Sequence, residues 1–69
     1  MEPHQQRVVE EKKELDSKIE KLNTFIDGQV FKKLDNEDKK LLIKQLHEMK
    51  AYSRTLGCRI RRFELSTEK

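Results

Sequence analysis

Four of the five arginines in the chain, Arg54, Arg59, Arg61 and Arg62, fall within the stretch SRTLGCRIRRF (53–63), and the fifth, Arg7, lies near the N-terminus. Every other positively charged side chain is a lysine. A guanidinium group is a planar fork that grips phosphate or carboxylate through two parallel hydrogen bonds, which a lysine ammonium cannot do. No acidic residue occurs from Met49 to Phe63, so no carboxylate is interleaved with the clustered arginines. Tyr52 adds a ring that can stack on a nucleobase while its hydroxyl stays wet. His4, close to Arg7, can add a stacking or phosphate contact. The candidate ligand-binding set is therefore His4, Arg7, Tyr52, Arg54, Arg59, Arg61 and Arg62, and its chemistry is capture of an anion. A plainer alternative is that the basic residues complement the dipole at a helix C-terminus, with Glu10 or Glu11 pairing with Arg59 and Tyr52 only packing.

Other chemistry finds little support. His47 and Cys58 are eleven residues apart, with no H-x-x-x-H or C-x-x-C spacing, so no metal and no cofactor are expected. No nucleophile stands beside a base and no glycine-rich phosphate loop is present, so the chain reads as a non-enzyme.

These residues must be positioned by helices. Val8, Leu15, Ile19, Leu22 and Ile26 lay one apolar seam along a first helix at about 5–27, interrupted at Lys12. Leu42, Leu46, Met49, Leu56, Ile60 and Phe63 repeat the pattern in a second helix at about 36–64, with Ser53 in the gap. Asp27-Gly28 is expected to end the first helix through a glycine with positive φ, and Asp35 to Asp38 to cap the second. The connector, 28–35, contains VFKKL and is expected to make one helical turn. The fold class is all-α: a single-domain antiparallel two-helix hairpin spanning 1–69. Pairing Ile26 with Leu42 brings Leu22 to Leu46, Ile19 to Met49 and Val8 to Ile60, and sets the two polar interruptions near each other. It also carries Arg7 to the end of the second helix. Gly57, inside a helix, reads either as a glycine merely tolerated there or as a site of close approach by a helix or a ligand.

The hairpin seam leaves Val9, Phe25, Val30, Phe31, Leu41, Ile43 and Tyr52 on other faces. With 69 residues, 33% of them hydrophobic and 42% charged, one seam buries little area. Assembly into a homo-oligomeric helical bundle is therefore expected. The longest apolar run is Leu41-Leu42-Ile43 and the N-terminus has no signal-like apolar region, which excludes a membrane span. The lone Cys58 fits a reducing compartment, and the expected location is the cytoplasm.

Two motifs carry a resemblance: R-V-V-x-E-x-x-x-L-x-x-K-I-x-x-L-x-x-F-I in residues 7–26, and L-L-x-x-Q-L-x-x-M-x-x-Y-x-x-x-L-x-x-R-I in residues 41–60. The chain resembles a family of very small tailed-phage proteins that includes homologues in crAss-like phages. Its apolar positions are those of any hairpin, but Arg7, Glu11, Gln45, Tyr52 and Arg59 are not demanded by hairpin packing. In size, hairpin architecture and arginine end it is also similar to phage sponges that bind the nucleotide second messengers of CBASS or Thoeris immunity. The resemblance implies an anti-defence protein in the host cytoplasm that holds a cyclic oligonucleotide or ADP-ribose derivative without turnover. Two other functions stay open. The closed-end apolar residues could dock on a host defence protein as an inhibitor, and the basic end could bind nucleic acid nonspecifically, although a net charge of +3 and an acidic first helix disfavour that.

Overall fold

The computed structural model describes residues 2–67, and for Ser66 and Thr67 the backbone only. Three helices follow in order: α1 (Pro3–Ile26), α2 (Gln29–Lys32) and α3 (Asn36–Thr67). α1 and α3 pack against each other along their length as a hairpin 53 × 15 × 14 Å in extent. α1 opens with Pro3 in its first turn, where a missing N–H costs nothing, and the Gln5 side-chain carbonyl accepts the Glu2 N–H at 3.1 Å. Asp35 caps α3 by accepting the Asp38 N–H on Oδ1 at 2.9 Å, and Glu37 and Asp38 follow in the positive first turn.

The turn at Gly28 departs from the expected left-handed cap. No described residue has positive φ, and Gly28 itself is extended, at φ −91° and ψ 175°. Its role is closeness: a Cβ there would stand 3.3 Å from the Phe25 carbonyl oxygen, and the Gly28 N–H donates to that same carbonyl at 3.0 Å. α2 then forms the connector turn, held at its end by hydrogen bonds from Lys33 N–H and Leu34 N–H, each 3.1 Å. Phe31 from this turn meets Phe25 edge-on at 6.5 Å, and Lys39 Nζ lies 5.9 Å above the Phe31 ring.

Among the described residues the buried apolar side chains are Val8, Leu46 and Leu56, with Leu56 fully enclosed. The rest of the seam is half-buried, as it must be when two helices have no third layer. Val9 and Phe31, two of the apolar residues outside the seam, are half-buried as well. Phe25, Val30, Leu41, Ile43 and Tyr52 remain exposed, joined by Leu65.

Candidate functional site

At the middle of the seam the two polar interruptions meet, and a third residue joins them. Lys12 Nζ donates to Asp16 Oδ2 at 2.8 Å and to Ser53 Oγ at 3.1 Å, and the Ser53 hydroxyl donates to Asp16 Oδ1. Ser53 is buried, whereas the Asp16 side chain keeps about half its surface in water. The Lys12 hydrogen bond first, then that of Ser53, hold the Asp16 carboxyl below its ordinary range; burial opposes them, and the Lys12 charge adds a lesser lowering. The stem of Lys12 crosses Gly57, where a Cβ would come within 3.3 Å of Lys12 Cε. The close approach expected at Gly57 is thus made by a side chain of α1.

This polar layer fixes the register in which the candidate ligand-binding residues are displayed. His4 stands edge-on to Phe63 at 6.4 Å, which ties the start of α1 to the end of α3 and gives the terminal histidine a packing partner. Two turns further along α1, the Tyr52 hydroxyl donates to Glu11 Oε2 across the helix pair. That bond, followed by desolvation and the Glu11 charge, raises the tyrosine hydroxyl above its ordinary value, while the Arg59 charge pulls the other way. The alternative pairing of Glu11 with Arg59 is not made: Glu11 holds Tyr52 instead.

His4, Arg7, Tyr52, Arg54, Arg59, Arg61 and Arg62 are all exposed. His4, Arg7, Arg59, Arg61 and Arg62 lie toward the open end of the hairpin, whereas Tyr52 and Arg54 sit beside Ser53 at the middle of the seam, so the five arginines do not all gather at the end, and helical phase divides the set between two flanks. Arg7 lies one turn before Glu11 and His4 two turns before it. Arg59 lies two turns, about 10.5 Å, after Tyr52, and Arg62 one turn beyond that. The Glu11–Tyr52 contact makes these two helix faces one flank. Arg54 and Arg61, seven residues apart with Gly57 between them, line the opposite flank, on the side of Lys12. Among the described residues the one ion pair is Lys12–Asp16, so the five arginines carry no carboxylate partner there.

Sequence reasoning missed Asp16 as a contact residue, and it offered Glu11 a cross-hairpin partner in Arg59 where the structure gives it Tyr52. Both were signalled: Asp16 is spaced i,i+4 from the seam lysine, and Glu11 stands on the α1 face that an antiparallel register brings to Tyr52. No group of residues capable of holding a metal ion exists among the described residues. No described helix is long and apolar enough to cross a membrane. A shallow groove on the outer face of α1 is lined by Ser17, Glu20, Lys21 and Thr24, away from the arginine end. One hairpin therefore presents its arginines on open flanks and encloses no ligand with them.

No curated protein and no solved structure matches the chain. A family model described as Sequestin matches residues 2–62, which takes in α1, α2, the polar layer, the Glu11–Tyr52 contact and all five arginines. The chain belongs to the Sequestin family.

Proposed function

We propose that this protein is a phage anti-defence protein that sequesters a nucleotide immune messenger, a cyclic oligonucleotide or an ADP-ribose derivative, in the host cytoplasm without turning it over. The family name is compatible with capture of a ligand. The observation that carries the reading is the exposed flank bearing Arg7, Tyr52, Arg59 and Arg62, in which no arginine forms an ion pair with a carboxylate among the described residues. Phosphates fit the guanidinium forks, and a base fits the Tyr52 ring.

Capture with useful affinity needs more enclosure than one hairpin offers, and a second copy supplies it. The chain exposes 5763 Å². A compact monomer of 8.3 kDa exposes about 4,600 Å². The excess, about 1,200 Å², exceeds the roughly 800 Å² that each partner contributes to a standard interface. Phe25, Val30, Leu41 and Ile43 are the exposed apolar residues that such an interface would cover. The messenger then binds between subunits.

Calorimetry against cyclic dinucleotides, cyclic trinucleotides and ADP-ribose derivatives tests this, with the bound compound recovered intact after denaturation. Arg59→Ala should weaken binding about tenfold to a hundredfold, the value of a charge-assisted contact. Arg59→Lys should not restore it, because the fork is lost.

The same exposed patch favours a second reading. Val30 and Leu41, each about 60% exposed, with Phe25 and Ile43, form an anchor set for docking on a host enzyme. If the protein binds no nucleotide of the panel yet inhibits a defence enzyme directly, this reading replaces the first.

A further inference from the structure

Glu11 works against capture of a bare polyanion. It is an exposed carboxylate on the flank that carries Arg7, Arg59 and Arg62, and its negative charge lowers the attraction of that flank for phosphate. It is not consumed in neutralising Arg7, one turn away, with which it forms no ion pair. An ionised carboxylate accepts about four hydrogen bonds and donates none. The Tyr52 hydroxyl takes one of these positions on Oε2, and that bond commits the only proton the phenol can donate. Tyr52 thus offers an incoming molecule its ring, and Glu11 offers it acceptors and nothing else.

The flank therefore combines three demands: anionic oxygens for the forks of Arg7, Arg59 and Arg62, a planar group for the Tyr52 ring, and hydroxyl or amine donors for the free side of Glu11. Inorganic phosphates meet only the first of these. A nucleotide with free sugar hydroxyls meets all three, because a ribose hydroxyl is a neutral donor held a few bonds from both phosphate and base. We propose that Glu11 accepts a hydrogen bond from a ribose hydroxyl of the captured nucleotide, so that the site selects ribonucleotides over their deoxy counterparts. This rests on the sequestration reading and adds a specificity residue to it.

The test is calorimetry on the full chain with ADP-ribose and cyclic di-AMP, each beside its 2′-deoxy counterpart, for the wild type and Glu11→Gln. Glutamine keeps the shape and a carbonyl acceptor for Tyr52 but loses the charge that strengthens a bond from a ribose hydroxyl. For at least one of the two pairs, the wild type should bind the ribo form about tenfold or more tightly than the deoxy form. Glu11→Gln should bring the two close together, by removing the advantage of the ribo form while the lost negative charge favours both phosphates alike, and should melt within a few degrees of the wild type. A wild-type ratio near one, or a ratio unchanged in Glu11→Gln, overturns the role of Glu11 and leaves sequestration standing. Binding of neither ribonucleotide by the wild type overturns this inference, and sequestration falls with it when the wider nucleotide panel is also empty.

Discussion

Ser53→Ala is the sharpest probe of how this hairpin is held in register. Ser53 is 7% exposed and bridges the helices through a hydrogen bond donated to Asp16 and one accepted from Lys12 Nζ at 3.1 Å. Alanine removes both bonds but orphans nothing deeply, since Lys12 and Asp16 keep each other at 2.8 Å and the Asp16 side chain, 48% exposed, can rehydrate. A buried hydrogen bond to a charged group is worth about 1.5–3 kcal/mol, and this degree of exposure reduces the expected cost to about 1 kcal/mol at pH 7. The cost should depend on pH. Ser53 helps to hold the Asp16 pKa below that of the unfolded chain, so its contribution is present above about pH 4 and lost as pH falls through the folded value. Urea denaturation of wild type, Ser53→Ala, Asp16→Asn and the double variant, at fixed protein concentration and at pH 7 and 2.5, measures this. The Ser53–Asp16 coupling should be clear at pH 7 and should shrink at pH 2.5. An equal Ser53→Ala cost at both pH values, or no coupling with Asp16→Asn, would refute the reasoning.

Gly57→Leu should destabilise the hairpin despite better helix propensity, because its side chain displaces the Lys12 stem and with it the bond to Ser53; Gly57→Ala, which only nudges a flexible methylene, should lie within about 1 kcal/mol of wild type by thermal melting. Ultraviolet titration of the single tyrosine should find Tyr52 ionising above its ordinary value, and Glu11→Gln should bring it back down; the Tyr52–Glu11 bond contributes below the ordinary tyrosine pKa and is lost as pH rises through the raised one. Sedimentation equilibrium at micromolar concentration should show an oligomer that Leu41→Asp weakens, and a strictly monomeric wild type would remove the inter-subunit site.

The hairpin was legible because both helices carry a seam of large apolar residues at helical spacing, and because the register that pairs Ile26 with Leu42 sets the Lys12 and Ser53 gaps near each other. The turn was not. Asp27-Gly28 has the composition of a left-handed cap, yet the chain reverses here through an extended glycine and a short helix, whose Phe31 docks on Phe25 and under Lys39. A ring contact between residues of different elements decides that geometry, and local propensity does not encode it. The arginine end was legible as an end, since antiparallel packing carries Arg7 to the last turns of α3. Its division into two flanks follows from helical phase, but it acquires meaning only with the contact that identifies which faces meet, and Glu11–Tyr52 is that contact.

Register and recognition are coupled through this arrangement. An all-apolar seam would tolerate a slip of one heptad, exchanging Leu for Leu or Met at small cost. Such a slip moves Ser53 away from Lys12 and Asp16, leaving an unpaired lysine against the seam, which is the more expensive outcome. It would also move Tyr52 about 10.5 Å, two turns, away from Glu11. The polar layer therefore does for this hairpin what a buried asparagine does in a coiled coil: it gives up some stability to forbid the neighbouring registers. The forbidden registers are also the ones in which Arg7 is carried about 10.5 Å along α3 from its place beside the turns that bear Arg59.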